Sequence, residues 1–217
     1  MNAKSPAVPP APRGRIGKRV DKRQAILDAA FAVFARRGYA RTCVKEIAET
    51  AGVAKPTVYN HLHDKETLFR ECLEAAADTV LAENLAVVER LRDPGDDLPA
   101  ALEDVGRRLL TVCCGERSRA LRWLTYSQVG AAPDLVDAVQ SRTSVRLAEA
   151  LADRLARLAL AGRLRPCDPG VAAEQYLALL TAPLETRTRL GTRGVPATET
   201  RAVAEAAVDT FMRAYGV

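Results

Sequence analysis

Histidine is nearly absent from this chain. Its 217 residues hold two, His61 and His63, so a histidine-based catalyst or zinc site sits at that one spot or nowhere. Aromatics make up only 5%, with a single tryptophan. No apolar run reaches the roughly 18 residues that a membrane-spanning helix needs. Residues 1–30 carry no apolar signal core and no small-residue cleavage site, so the expected location is the cytoplasm. The five cysteines are an odd number without framework spacing, which argues against a disulfide-stapled fold and for reduced thiols. There is no Gly-rich phosphate loop, no nucleophile elbow and no converging pair of carboxylates. No cofactor or metal is expected.

Lysine is missing from all of the chain beyond Lys65. Residues 1–65 carry 13 Lys+Arg against 5 Asp+Glu, and the remainder carries 19 against 22, within a net charge of +5. A basic first third joined to a mildly acidic remainder points to a polyanion met by the first third alone. A basic tail with no partner is the plainer alternative.

What fills the chain is helical pattern. Residues 1–20 read as a disordered basic arm, broken by Pro6, Pro9, Pro10 and Pro12. From Asp21, Ile26, Ala30, Val33 and Phe34 mark one face of a helix that ends at Gly38. Short helices follow at about 44–51 and 55–62, with Pro56 in the first turn of the latter. Longer ones follow at about 64–91, 98–114, 117–129, 133–161, 169–190 and 198–215, with a kink or split expected at Pro183. No strand-like alternation occurs. The expectation is an all-α fold of about nine helices: arm 1–20, a three-helix unit 21–66, and a helical domain 67–217.

Two short helices joined through Gly52, with Val53 as a buried plug, have helix-turn-helix geometry. An ordinary helical hairpin shares that pattern, but the surrounding residues sharpen it. Ala29-Ala30, Phe34, Gly38-Tyr39, Thr42, Val44, Ile47-Ala48, Ala51-Gly52-Val53, Thr57-Val58-Tyr59, His61-Leu62, Asp64-Lys65-Glu66 and Leu68-Phe69 form one continuous run. That run resembles the N-terminal domain of the tetracycline-repressor (TetR) family. Ala161-Gly-Arg-Leu-Arg165 with Asp168-Pro169 bears a fainter likeness to the C-terminal domain of AefR-like members. Cys43 and Ala54 depart from the family pattern, standing where Ser or Thr usually caps a helix. The resemblance implies a homodimeric, ligand-released repressor acting on double-stranded DNA at a near-palindromic operator. In such proteins the third helix enters the major groove and the last two helices pair between subunits.

On that reading Lys55, Pro56, Asn60 and His61 face base edges, with Lys55 suited to guanine, Asn60 to adenine and Pro56 to a thymine methyl. Thr42, Thr57, Tyr59 and Lys65 face the phosphate backbone and set register. Tyr59 is alternatively an aromatic brace for the first helix, and Lys55 and His61 are alternatively solvated surface groups. Val44, Ile47, Val53, Val58 and Leu62 are core.

The second half can enclose a cavity for a largely apolar small-molecule effector. Trp123, Tyr126 and Tyr176 are candidate lining residues, with plain core as the alternative. Leu177, Leu180, Leu184, Ala207 and Phe211 form stripes for a dimer interface or for the chain's own core. Cys113-Cys114 is a vicinal thiol pair at a helix end, open to a sensing role but lacking a third metal ligand. Two other functions compete. A non-specific architectural DNA protein would spread basic surface along the whole chain, and an all-helical enzyme has no catalytic constellation here.

Overall fold

The computed structural model describes residues 14–61 and 63–217. Among the described residues the chain forms nine helical rods and no named strand. They are α1 (Gly14–Arg41), α2 (Val44–Thr50), α3 (Lys55–His61), α4 (Lys65–Val88), α5 (Leu98–Cys113), α6 (Glu116–Tyr126), α7, α8 (Pro169–Arg187) and α9 (Ala197–Tyr215). The α7 rod starts as Pro133–Gln140, passes through a π turn at Ser141–Val145 and continues as Arg146–Leu160. A 3-10 turn, Glu89–Arg92, extends α4.

Several boundaries differ from those the pattern gives. α1 begins at Gly14, so residues 14–20 are its first turns and not part of an irregular arm. Pro12 is the last proline before Pro56, so nothing after it forbids a helix. Residues 1–13 of the expected arm lie outside the described residues. As expected, the first helical run ends at Gly38, whose φ of 74° and ψ of 165° are non-helical, and residues 39–41 form a short further turn across the kink. Of the kink or split expected at Pro183, the split does not occur. α8 runs through that residue, forgoing the one N–H bond a proline cannot make. It stops at Arg187, before Arg189 and Leu190, whose φ angles of 52° and 58° cannot continue a right-handed helix.

Helix starts follow side-chain chemistry. Asp64 Oδ1 accepts the Thr67 N–H at 2.7 Å and opens α4. Asp97 does the same for Ala100 at 2.9 Å. Asp168, followed by Pro169, accepts the N–H groups of Gly170 and Val171.

Two apolar cores result. The first gathers α1, α2, α3 and the N-terminal part of α4, then continues into Leu121 and Leu124 of α6 and Leu135 and Val139 of α7. The expected unit 21–66 is therefore not sealed off at Glu66. The second core gathers the end of α4 with α5, the C-terminal part of α7, α8 and α9. Arg70 pairs with Asp134 at 2.6 Å, and Arg142 with Glu74 at 2.8 Å, so ion pairs also fasten α4 to α7. Such exposed pairs are worth about 0–1 kcal/mol each.

In the second core α8 approaches α5 closely at Gly106. Tyr176 is fully buried, donates its hydroxyl to the Leu102 carbonyl at 2.6 Å, and meets Phe211 edge-on at 5.2 Å. A methyl group on Gly106 would lie 2.8 Å from the Tyr176 hydroxyl. Gly106→Ala is therefore expected to lower stability by about 1–3 kcal/mol through overpacking, despite alanine's better helix propensity. In a Tyr176→Phe background the same change is expected to cost less. Urea denaturation of the four proteins in the cycle checks this, and an equal cost in both backgrounds contradicts it.

Candidate nucleic-acid interface and ligand cavity

α3 is held by one side chain and shows the rest to solvent. Val58 is 1% exposed in the first core. Around it Lys55, Pro56, Tyr59 and Asn60 are exposed, and Thr57 and His61 are half-buried. The four residues expected at base edges thus lie on a short rod projecting from the three-helix unit. Gly52, with φ 65°, turns the chain between α2 and α3. Its N–H bonds to Glu49 O, and that of Val53 to Ala48 O, which fixes the angle of entry.

The residues expected at the phosphate backbone divide. Tyr59 is 40% exposed, so it does not brace α1 from within the core, and Lys55 Nζ lies 5.7 Å from its ring centroid. Lys65 Nζ donates to the Ala40 carbonyl at 3.4 Å and sits 4.6 Å from the Tyr39 ring centroid. That cation–π contact orients the ammonium without neutralising it. Neither Lys55 nor Lys65 forms an ion pair with a described carboxylate. By contrast, Lys45 pairs with Glu49, and Arg36 and Arg37 with Glu46. Thr42 is a correction: it is 4% exposed and its hydroxyl donates to Gly38 O at 2.8 Å. The bend at Gly38 frees that carbonyl, and Thr42 turns inward to meet it. Cys43 precedes α2 without a side-chain cap.

In the second half a cavity of about 310 Å³ lies among α4, α5, α6, α7 and α8. Leu109, Leu110, Leu121, Val139 and Leu147 give it apolar walls, with Thr125, Thr143 and Thr181 between them. Each of those hydroxyls donates to the carbonyl four residues earlier, so each offers the cavity an acceptor. Tyr126 lines this cavity. Trp123 does not: it is 43% exposed on another face of α6, with its ring against Gly38. Tyr176 does not either, because its ring is locked into the second core.

Four lining residues carry the polar chemistry, and sequence pattern assigned none of them to a pocket. They lie on four helices, so no spacing joins them. Asn84 is 7% exposed, and its Oδ1 has no hydrogen-bond partner among the described residues. Cys113 Sγ accepts a hydrogen bond from Arg122 Nη2 at 3.0 Å. Arg122 also donates to the Gly191 carbonyl in the α8–α9 loop. Glu185 completes the set. The Cys113 thiol is pushed down to about 6, first by the hydrogen bond to the Cys114 thiol and then by the Arg122 charge, against the opposing effect of burial. Cys114 moves the other way, upward, through the same hydrogen bond and its own burial. No cluster of three or more metal-ligating side chains occurs among the described residues.

The expected dimer stripe also needs correction. Leu180, Leu184, Ala207 and Phe211 are 1–3% exposed, filling the chain's own second core. Leu177 is half-buried and lines the cavity. The apolar period was right, but it marks the faces that α8 and α9 turn toward α5 and each other.

Comparison with known proteins agrees with this geometry. The family model for bacterial regulatory proteins of the tetR family matches residues 26–72. The model for the C-terminal domain of AefR-like transcriptional repressors matches residues 100–217, more than half of the chain. The transcriptional repressor AcnR of Corynebacterium efficiens is 32% identical over 168 residues, covering 74% of this chain and 78% of that protein. The transcriptional regulator AcrR of Shigella flexneri is 32% identical over 106 residues, which are 49% of this chain and about half (48%) of that protein. The crystal structure of a TetR-family regulator from Mesorhizobium loti superposes with a TM-score of 0.86 at 31% identity, covering 92% of this chain and 99% of that one. No described helix is long and apolar enough to cross a membrane. The chain belongs to the TetR family of DNA-binding transcriptional regulators and carries an AefR-like C-terminal domain.

Proposed function

We propose that this protein is a ligand-released repressor that acts in the cytoplasm as a homodimer on a near-palindromic operator. One observation carries the reading. α4 is a single helix whose first turn adjoins α3 and whose Val80 and Asn84 line the cavity. The path from Lys65 to Asn84 is about 29 Å of unbroken rod. A ligand that shifts α4 at the cavity moves the α3 rod at its other end. The effector matching the lining is compact and mainly apolar, with a hydrogen-bond donor for Asn84.

On this reading Lys55, Pro56, Asn60 and His61 read bases, while Thr57, Tyr59 and Lys65 set register on phosphates. The dimer forms through the exposed faces of α8 and α9. There Ala182, Ala202, Ala206 and Thr210 are solvent-exposed and small. The Thr210 hydroxyl is engaged with Ala206 O, which leaves its methyl outward. Small side chains let two helix pairs approach closely, and neither helix spends its core residues on the partner.

Operator fragments are first to be selected from genomic DNA with the purified protein. Titration by fluorescence anisotropy at several salt concentrations then separates the two lysines. Lys55→Ala is expected to cost about 1–3 kcal/mol at one base position and to relax preference there. Lys65→Ala is expected to weaken all sequences alike and lower the salt slope by about 1. Equal loss on every sequence for Lys55→Ala rejects its base-reading role.

Ala206→Arg tests the dimer. The variant is expected to run as a folded monomer by light scattering and to lose most operator affinity, since one head grips a single half-site. A dimer of unchanged stability rejects this face.

A further inference from the structure

Cys113 is more than a wall of the cavity. Its sulfur lies 3.0 Å from Arg122 Nη2, and Cys114 follows it at the end of α5. Buried thiols are usually inert, and Cys72 in the first core fits that rule, with burial pushing its thiol up. Cys113 is unlike it in having a cation against the sulfur and open cavity in front of it. Asn84 supplies a second, independent sign of a ligand: a nearly buried amide oxygen with no partner, lining the same space. An oxygen so placed costs free energy until a donor reaches it.

We propose that Cys113 is a covalent trap for a soft carbon electrophile, an α,β-unsaturated carbonyl compound bearing a hydrogen-bond donor for Asn84. This rests on the reading of the cavity as the effector site. The Cys113 thiolate forms a carbon–sulfur bond at the β-carbon. The carbon–carbon π pair moves toward the carbonyl, giving an enolate, and solvent returns a proton to the α-carbon. The thiol proton has already left to solvent, so the net change is addition of S–H across the double bond, with no oxidant consumed. Arg122 holds the thiolate before the reaction and loses that anionic partner after it. Because Arg122 also grips the Gly191 carbonyl, the adduct reaches the α8–α9 loop as well as α4. The charged or titratable groups acting on Cys113 are Arg122, Cys114 and Glu185.

The geometry carries a rate expectation. The Arg122 guanidinium at the sulfur keeps a larger share of Cys113 as thiolate than an ordinary thiol near 8.5 holds at the same pH. The lower intrinsic nucleophilicity of a more acidic thiol takes back part of that advantage, and the remainder favours Cys113.

The test uses the full-length protein and p-hydroxybenzalacetone, a small hydroxyaryl enone, with peptide mapping by mass spectrometry. Below neutral pH the adduct is expected on Cys113 ahead of exposed Cys43, and faster than on N-acetylcysteine. Its rate is expected to saturate with probe concentration and to fall when the saturated ketone competes for the cavity. Cys113→Ser is expected to abolish this adduct, and Arg122→Met to move the pH midpoint of labelling upward. Labelling that favours Cys43, or a rate that neither saturates nor responds to the competitor, overturns the proposal. Operator release is measured in parallel. Release by the saturated ketone without any enone adduct overturns the covalent trap while leaving the ligand-released repressor intact. A Cys113 adduct that leaves operator binding unchanged supports the trap and counts against the repressor reading.

Discussion

Helix α4 belongs to two cores at once, and the rest of the architecture follows from that. Leu68, Phe69, Cys72, Leu73, Ala76 and Ala77 bury one end against α1 and α6. Val88 buries the other end against the helices of the second core. Between them lie Val80 and Asn84, at the cavity. A rod gripped at both ends and touched in the middle cannot adjust one neighbourhood without disturbing the other. Close-packed cores switch between arrangements more readily than they deform, so a small displacement at the cavity is passed along rather than absorbed.

The three-helix unit is economical in the same way. α3 has seven residues, too few to be stable alone in water. It exists because Val58 plugs into the core and because the α2–α3 turn fixes its approach. One buried face suffices, and the remaining side chains are released for contacts outside the chain. Thr42 is used differently. Its hydroxyl bonds to the carbonyl at the Gly38 bend and so helps set where α2 begins.

Much of this was legible in the sequence, and the failures share one cause. The helices, their caps at Asp64 and Asp168, and the exposed α3 all follow from local rules of period and hydrogen bonding. Periodicity also found the apolar faces of α8 and α9, but it cannot say what a buried face meets. Leu180, Leu184, Ala207 and Phe211 satisfy an interface stripe and a core stripe equally well. The cavity was the least legible part. Trp123 and Tyr126 lie three apart on α6, yet only Tyr126 reaches it. Asn84, Cys113, Arg122 and Glu185 come from separate helices, and tertiary packing alone brings them together. Gly38 was legible too: its non-helical backbone ends the first helical run, and Thr42 bonds to the carbonyl freed there.

The two halves of the molecule are matched in leverage. From Asn84 to Lys65 is about 29 Å, so a tilt of about 5° at the cavity moves the start of α4 by about 2.5 Å. That is comparable to a hydrogen-bond length, enough, on the proposed reading, to take Lys55 and Asn60 out of register with base edges. How far the equilibrium moves depends on the ligand's preference for one state of α4 over the other, not on its total affinity. A reversible apolar ligand must draw that preference from contacts alone. A covalent adduct at Cys113 has another source, because it removes the anion facing Arg122 and leaves a cation without its partner. The original state then becomes the costlier one for as long as the bond persists, which turns a transient encounter into a lasting signal.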